Sequence, residues 1–202
     1  MTLWRGKDPL ILASQSRARQ MLLANAGIDF EAVPADVDER AVQQASRLSA
    51  PGEIAALLAR EKARSVSMGQ PGRYVVGADQ TLALGNRLFS KPAGRTQAAE
   101  QLRDLAGRSH ELHSAVAVAS DGKILFEAVA VARMTMRQLS EAEIRAYLDE
   151  AGEAVTSSVG AYQLEGLGVH LFERIEGDHF TILGLPLLAL LAFLRGERLV
   201  GV

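Results

Sequence analysis

The chain contains no cysteine among its 202 residues, and this absence excludes several kinds of chemistry. Without thiols there is no disulfide, no thiolate-bound metal and no cysteine nucleophile. A chain without cysteine is compatible with a reducing compartment. Residues 1–8 are polar and charged, and the apolar run that follows is too short for the core of a secretory signal. We therefore expect a cytoplasmic protein.

The chain also lacks an excess of charge of either sign and a long apolar run. Its formal net charge is −2 with both signs mixed, which argues against binding to a nucleic acid polymer or to an anionic membrane. The most apolar segment, residues 180–194, contains Gly184 and Pro186 and falls short of the roughly 20 residues that span a bilayer. We predict a buried C-terminal helix there. Hydrophobic residues make up 48% of the chain, which is enough for a full core in one domain.

Among the residues that are present, Asp79 is the most informative. It follows the apolar run 74–78, which predicts a buried strand that ends at a carboxylate. In open α/β sheets, ligands gather at the carboxyl ends of strands. Asp79 is therefore a candidate catalytic residue, and the alternative is that it only begins a turn.

The order of apolar segments predicts a mixed α/β fold. Strands are expected at residues 10–13, 28–33, 74–78 and 169–175, with helices between them and an acidic loop at 36–40. Gly85-Asn86 and Asp121-Gly122 have the composition of two-residue hairpin turns. Because hairpins interrupt the alternation of strands and helices, we expect a mixed sheet with flanking helices.

The first strand leads into a polar loop that has the general form of a phosphate site. Ser14 and Ser16 offer hydroxyls, and Arg17 and Arg19 offer guanidinium groups close to the start of a helix. The loop lacks the glycines of a P-loop or a dinucleotide-binding turn. The alternative is a capped helix with two solvated arginines.

Two lysines are further candidates, whereas the histidines are not. Pro92 holds Lys91 in an extended conformation that aims its side chain, and Lys62 lies in a charged helical segment. His110 and His113 are three residues apart on a predicted strand and point to opposite faces, so a histidine-based zinc site is not expected. A hard cation such as Mg²⁺, held by carboxylates and substrate phosphates, is the more plausible metal.

Taken together, these segments resemble the Maf family of nucleotide pyrophosphatases. The matching segments occur in order over nearly the whole chain: LILASQSRAR (10–19), VDE (37–39), AREKA (59–63), VVGADQT (75–81), KP (91–92), LAGRSHEL (105–112), LSEAEI (139–144), GAYQLEGLGVHLFERIEGD (160–178) and ILGLPLLAL (182–190). The resemblance implies one Maf-like domain over residues 1–202, with two lobes around a cleft as in Maf and ITPase-like folds.

The resemblance also implies a reaction and a set of site residues. The reaction is hydrolysis of a nucleoside triphosphate to the monophosphate and pyrophosphate with a divalent cation, Mg²⁺ or Mn²⁺. Asp79 would accept the proton of the attacking water at an ordinary carboxyl pKa. Lys62, Lys91 and Glu39 complete the implied catalytic set, Ser14, Ser16 and Arg19 bind phosphate, and Asp79 with Glu39 holds the metal.

The resemblance also implies that three further residues determine the preference for a nucleobase, namely Ala18, Gln80 and Glu165. Gln80 after the aspartate and Glu165 in YQLEGLG are similar to the branch of the family that hydrolyses 7-methyl-GTP. The first loop departs from the family pattern, because Arg17 replaces a proline and Ala18 stands where that branch often has a tryptophan.

Two other interpretations stay open at this stage. Relatives linked to arrest of cell division favour a nucleotide-binding regulator of septum formation, and a first-strand phosphate loop with an aspartate is also used by nucleotidyltransferases. The presence of Asp79 beside cationic residues favours an enzyme over a binder, and the missing glycine-rich loop counts against a transferase. A homodimer is the other partner that the resemblance implies.

Overall fold

The computed structural model describes residues 3–201, and their strands form one mixed sheet. The strands are β1 (Leu10–Leu12), β2 (Phe30–Ala32), β3 (Val75–Leu84), β4 (Arg87–Phe89), β5 (Ser109–Ser120), β6 (Lys123–Met136) and β7 (Phe172–Glu176). In the 7-stranded sheet the order is β2-β1-β3-β5-β6-β7, and β4 pairs with β3. β1 runs parallel to β2 and β3, whereas the β3–β4 and β6–β7 pairs are antiparallel. The prediction of a mixed sheet is confirmed.

The helices flank this sheet along the chain. They are α1 (Arg17–Asn25), α2 (Glu39–Ser46), α3 (Pro51–Met68), α4 (Arg95–Leu105), α5 (Glu141–Ala151), α6 (His179–Ile182) and α7 (Leu187–Gly196). Short 3-10 helices cover Gly152–Thr156, Val159–Ala161 and Leu167–Leu171. No helix in the described part of the chain is long and apolar enough to cross a membrane.

Local signals explain where several elements begin and turn. Ser16 caps α1, and Ser140 with Glu143 forms the capping box of α5. Gly85, with φ of 59°, follows β3 at the first hairpin, and Asp121 and Gly122 have φ of 49° and 76° at the second. Positive φ at both central residues is the requirement of a type I′ turn, which is why the second hairpin forms at Asp-Gly.

The chain divides into two compact units. The first comprises the residues up to Gln80, Ser114–Ala130 and the residues from His179 onward, and the second comprises Thr81–His113 and Val131–Asp178. In the first unit, an apolar cluster joins β1, β3 and β5 to α1 and α7. A second cluster consists mainly of alanines, with Ala55, Ala59 and Ala63 of α3 packed on the alternating alanines of β5 at 115, 117 and 119. These short side chains let α3 lie close to the sheet.

Several local predictions differ from the structure. The helix predicted at 180–194 is divided, because α6 ends at Ile182 and α7 begins at Leu187. β3 continues through Asp79 to Leu84, so Asp79 lies inside a strand and not at its end. The acidic segment 36–40 is not only a loop, because Asp38 caps α2 and Glu39 is its first residue. The strand predicted at 169–175 starts later, at Phe172, because residues 167–171 form a 3-10 helix.

Candidate active site

Asp79 is a buried carboxylate that directly follows the buried apolar residues at the start of β3. Val75, Val76 and Ala78 are fully buried, and Asp79 itself is 8% exposed. A carboxylate in such surroundings needs a charged or hydrogen-bonding partner, because burial disfavours its ionised form. Asp79 therefore marks the place on β3 where a polar site begins.

Helix α3 supplies the partner of Asp79. Gly77 allows the close approach, since a Cβ atom built there would lie 2.2 Å from the carbonyl oxygen of Ala59 and 2.6 Å from the amide nitrogen of Ala63. Between these two alanines, Lys62 extends to Asp79, and its Nζ lies 2.6 Å from Oδ1. The missing side chain at Gly77 thus brings the ammonium and the carboxylate together.

The first turn of α2 adds a second carboxylate to the same ammonium. Asp38 accepts a hydrogen bond from the amide of Ala41 and so starts the helix at Glu39. Oε1 of Glu39 lies 2.7 Å from Nζ of Lys62. The side chain of Glu39 is 53% exposed, compared with 12% for Lys62 and 11% for Asp79. The three groups form a charged cluster that is closed on the side of β3 and open to solvent at Glu39.

Burial sets the basicity of Asp79. It raises the pKa of this carboxyl above its ordinary value, and the nearby charge of Glu39 raises it further, whereas Lys62 and Arg19 lower it. The ordinary carboxyl pKa expected from the sequence is therefore wrong. A higher pKa makes the ionised carboxylate a stronger proton acceptor.

The polar loop after β1 is organised around Arg19. Its Nε donates to the carbonyl of Gly184 at 2.8 Å, and its Nη1 donates to the carbonyl of Ala78 at 2.8 Å and to Oγ of Ser14 at 3.2 Å. Desolvation lowers the pKa of Arg19, against the opposing effect of Asp79 and Glu39, but an arginine stays protonated in proteins. Oγ of Ser16 accepts from the amide of Arg19 and is thereby the cap of α1. The loop therefore caps α1, as the alternative predicted, but Arg19 is bonded to backbone carbonyls and is not a solvated arginine. Phosphate binding by this loop stays a prediction.

The residues implied to choose the base are placed in different surroundings. Ala18 packs partly buried against the main apolar cluster. Nε2 of Gln80 donates to Oγ of Ser114 at 2.8 Å and to the carbonyls of Thr181 and Ile182 at 3.1 and 3.0 Å. Glu165 lies exposed in a turn of the second unit. Their roles in base selection stay predictions.

Lys91 also belongs to the second unit. It is exposed in the segment after β4, and Pro92 beside it is buried. Its predicted contact with phosphate stays a prediction. The structure thus brings together Asp79, Lys62 and Glu39, and Arg19 donates to the carbonyl of the adjacent residue, Ala78. All of these residues belong to the first unit.

The donor set decides which kind of metal site is compatible with this cluster. Within residues 3–201, no group of three or more His, Asp or Glu side chains is arranged to hold a metal ion. The cluster offers two carboxylates, Asp79 and Glu39, which both contact the ammonium of Lys62. Mg²⁺ is commonly bound by one or two carboxylates together with substrate phosphates and water, so these residues fit that mode and do not fit an all-protein cage.

Several residues that position the site without taking part in its chemistry were not predicted from the sequence. Gly77 is one, and its signal was a glycine inside a strand, where such a residue often marks close approach of another backbone. Gly184 is another, with φ of 86° and a position against the guanidinium of Arg19. Ser114 and Thr181, which contact Gln80, are fully buried and had no recognisable signal.

Comparisons with known proteins identify the family of this chain. The sequence model of the family described as Maf-like protein matches residues 9–197. The chain is 75% identical over 202 residues to a protein of Bradyrhizobium diazoefficiens named nucleoside triphosphate pyrophosphatase, with 100% of each chain covered. It is 69% identical over 202 residues to a Rhodopseudomonas palustris protein of the same name, again with 100% of each chain covered. A Brucella abortus protein named 7-methyl-GTP pyrophosphatase is 50% identical over 193 residues, which are 95% of this chain and 97% of that one. The family model and the full-length relatives together show that this chain belongs to the Maf family.

Proposed function

We propose that this protein hydrolyses nucleoside triphosphates to the nucleoside monophosphate and pyrophosphate. The observation that carries the proposal is the buried carboxylate of Asp79, held by the ammonium of Lys62 with Glu39 on its solvent side. The names of the relatives that are 75% and 69% identical support the same activity. The enzyme is therefore proposed to be a hydrolase of the α–β phosphoanhydride.

In the proposed step, the ionised carboxylate of Asp79 takes a proton from a water molecule. The water oxygen forms a bond to the α-phosphorus. The bond from the α-phosphorus to the bridging oxygen breaks, and its electron pair leaves with pyrophosphate. The raised pKa of Asp79 favours the proton transfer, because the acceptor is more basic than a solvated aspartate. The proton returns to solvent when the products leave.

Cationic residues would offset the charge of the triphosphate and of the transition state. Lys62 contacts Asp79, and Arg19 donates to the carbonyl of Ala78 beside it. Lys91 is proposed to contribute a third positive charge. The hydroxyls of Ser14 and Ser16 are proposed to donate to phosphate oxygens. Arg19 holds two backbone carbonyls in the structure, so its part is to supply positive charge from a fixed position.

The cofactor proposed for this site is a divalent cation, Mg²⁺ or Mn²⁺, held by Asp79 and Glu39. When bound with the substrate, such an ion neutralises phosphate charge and polarises the reacting P–O bonds. Lys62 contacts both carboxylates and keeps them together.

The proposed substrates include modified nucleotides such as 7-methyl-GTP. The 50% identical Brucella abortus relative of that name supports this choice, as does a carboxylate at Glu165, which can accept hydrogen bonds from the N–H groups of a guanine edge. Ala18 and Gln80 are the other proposed specificity positions. A cytoplasmic location and a homodimer are further parts of the proposal.

The test is pyrophosphate release from 7-methyl-GTP, GTP, UTP and dTTP with Mg²⁺ or Mn²⁺. We expect release from at least one nucleotide, and a loss of about 100-fold or more in kcat for Asp79→Asn, since a general base contributes at least this factor. The matched control is Asp29→Asn, at an exposed aspartate, which should leave the rate unchanged. Nucleotide binding without hydrolysis by the wild type would refute the proposal and favour a regulator, and incorporation of a labelled sugar phosphate would favour a transferase.

A further inference from the structure

Strand β3 is tied on both sides of Asp79 to residues 181–184 (the 181–184 turn), which comprise the end of α6 and the turn that follows it. On one side, Arg19 donates to the carbonyl of Ala78 and to the carbonyl of Gly184, each at 2.8 Å. On the other side, Nε2 of Gln80 donates to the carbonyls of Thr181 and Ile182 at 3.1 and 3.0 Å. The residues directly before and after Asp79 are thus fastened to the same segment.

We propose that Gln80 is a positioning residue, which with Arg19 clamps β3 to the 181–184 turn and so fixes the carboxylate of Asp79 against Lys62. The inference rests on the proposed function, because Asp79 is the general base in that reaction. It differs from the role that family resemblance implies for Gln80, which is selection of the nucleobase.

The hydrogen-bond inventory of Gln80 favours a structural role. An amide nitrogen carries two hydrogens, and here it faces three acceptors of the protein itself, namely Ser114 Oγ and the carbonyls of Thr181 and Ile182. Oγ of Ser114 in turn donates to the carbonyl of Thr181 at 2.6 Å. Ser114 and Thr181 are both 0% exposed. These contacts occupy the donors with which Gln80 would otherwise contact a base.

The turn is shaped for the other half of the clamp. Gly184 has φ of 86°, and a Cβ atom there would lie 3.2 Å from Nη2 and 3.3 Å from Nε of Arg19. A side chain at this position would be strained by the backbone and would press on the guanidinium. The planar guanidinium reaches two carbonyls from one side chain, which the single ammonium of a lysine does not do in the same geometry.

The chemistry of the clamp predicts which change at Gln80 is harmful. Gln80→Glu keeps the size of the side chain but replaces the donor by an oxygen that faces two carbonyl oxygens. The carbonyl of Ile182 would then face an oxygen in place of its donor, and a catalytic group displaced by about 1 Å costs up to about 100-fold in rate. We therefore expect kcat to fall by about 10- to 100-fold.

The deciding measurement is kcat and KM of Gln80→Glu for 7-methyl-GTP, GTP, UTP and dTTP. A positioning role predicts that kcat falls by the same factor for every nucleotide that the wild type hydrolyses, with little change in KM or in the ranking of nucleotides. An unchanged kcat for the best substrate would overturn the inference. A changed ranking would also overturn it and would show that Gln80 contacts the nucleobase.

A second variant keeps the inference testable if Gln80→Glu does not fold. Ser114→Ala removes one acceptor of Gln80 and one donor to Thr181, and it should lower kcat uniformly. Its control is Ser67→Ala, which deletes an equally buried hydroxyl that bonds the carbonyl of Arg64 and the amide of Gly122. Equal kcat in the two serine variants would count against the clamp.

Hydrogen exchange separates the clamp from the proposed activity. In Gln80→Glu or Ser114→Ala, amides of residues 75–84 and 179–186 should exchange faster than in the wild type and in Ser67→Ala. Faster exchange in a protein without hydrolytic activity would support the clamp while the proposed function fails. Unchanged exchange in both segments would overturn the clamp whatever the activity.

Discussion

The Nζ atom of Lys62 lies 2.6 Å from Oδ1 of Asp79, and each of the two side chains is about nine-tenths buried. A pair of this kind is costly to break, because removal of one partner leaves the other charge buried without compensation. The pair also determines the chemistry of the site, since Lys62 is the largest influence that lowers the pKa of Asp79 against the effect of burial. Lys62 is therefore expected to act on both stability and activity.

The first prediction concerns Lys62→Met, which keeps the aliphatic stem and removes the charge. Without the ammonium, the pKa of Asp79 should rise further, because burial and Glu39 both act in that direction. The acid limb of the pH–rate profile should move to higher pH, and kcat should fall by at least about tenfold, since this charge is also proposed to offset that of the substrate. The measurement is kcat as a function of pH. Lys123→Met, at an exposed lysine, is the control, and an acid limb that does not move would contradict the prediction.

The second prediction concerns Gly77→Ala. The new Cβ atom would meet the backbone of α3 at 2.2 and 2.6 Å, so the helix must shift and carry Lys62 with it. We expect a loss of about 3 kcal/mol or more in the free energy of unfolding, at the upper end of typical overpacking costs. Activity should fall with it. Chemical denaturation measures the stability. Gly69→Ala, at the end of the same helix with its nearest contact at 3.6 Å, should be nearly neutral, and equal effects of the two changes would refute the explanation.

The third prediction concerns the pH dependence of stability through His110. This residue is 1% exposed, its Nε2 lies 2.7 Å from the hydroxyl of Tyr162, and its Nδ1 has no hydrogen-bond partner. Burial lowers the pKa of His110 from 6.5 to about 4. Between these two pH values His110 binds a proton in the unfolded chain and does not in the folded chain. The free energy of unfolding is therefore undiminished by His110 above pH 6.5 and decreases as the pH falls toward 4. The loss amounts to about 3 kcal/mol at the lower end of this window.

The variant His110→Gln tests this assignment, because its side chain does not titrate. It should be less stable than the wild type near pH 7.5, where the packing against Tyr162 and Phe172 is lost, and its stability should depend less on pH below 6.5. Urea denaturation at a series of pH values measures both effects. His170→Gln, at an exposed histidine, should keep the slope of the wild type. A slope in His110→Gln as steep as in the wild type would assign the acid sensitivity to other groups.

The fourth prediction concerns Glu165→Gln. The change replaces an acceptor of guanine N–H groups by an amide that both donates and accepts, so we expect the nucleotide preference to shift toward UTP and dTTP. Ratios of kcat/KM across the nucleotide panel are the measurement. Glu173→Gln, at another exposed glutamate of the second unit, is the control. An unchanged profile would show that Glu165 does not contact the base.

Much of the fold was predictable because its signals are local. The buried run at 10–13, the turns at Gly85-Asn86 and Asp121-Gly122 and the capping box at Ser140 each act over a few neighbouring residues. Asp79, Lys62 and Arg19 were candidates from local patterns, family resemblance added Glu39, and the structure places all four in one unit. The bounds of β3 and the start of α2 were not predicted, since β3 extends past a charged residue and α2 begins inside an acidic segment.

The order of residues alone was enough to decide the type of sheet, the capping box of α5 and the family, because apolar spacing and turn chemistry are properties of short segments. Folding in three dimensions decided how basic Asp79 is and what Gln80 contacts. Lys62 is 17 residues away from Asp79 along the chain, and the turn that binds Gln80 is about a hundred residues away. Such contacts depend on the packing of α3 over Gly77 and on burial, and neither quantity is encoded in a segment of neighbouring residues.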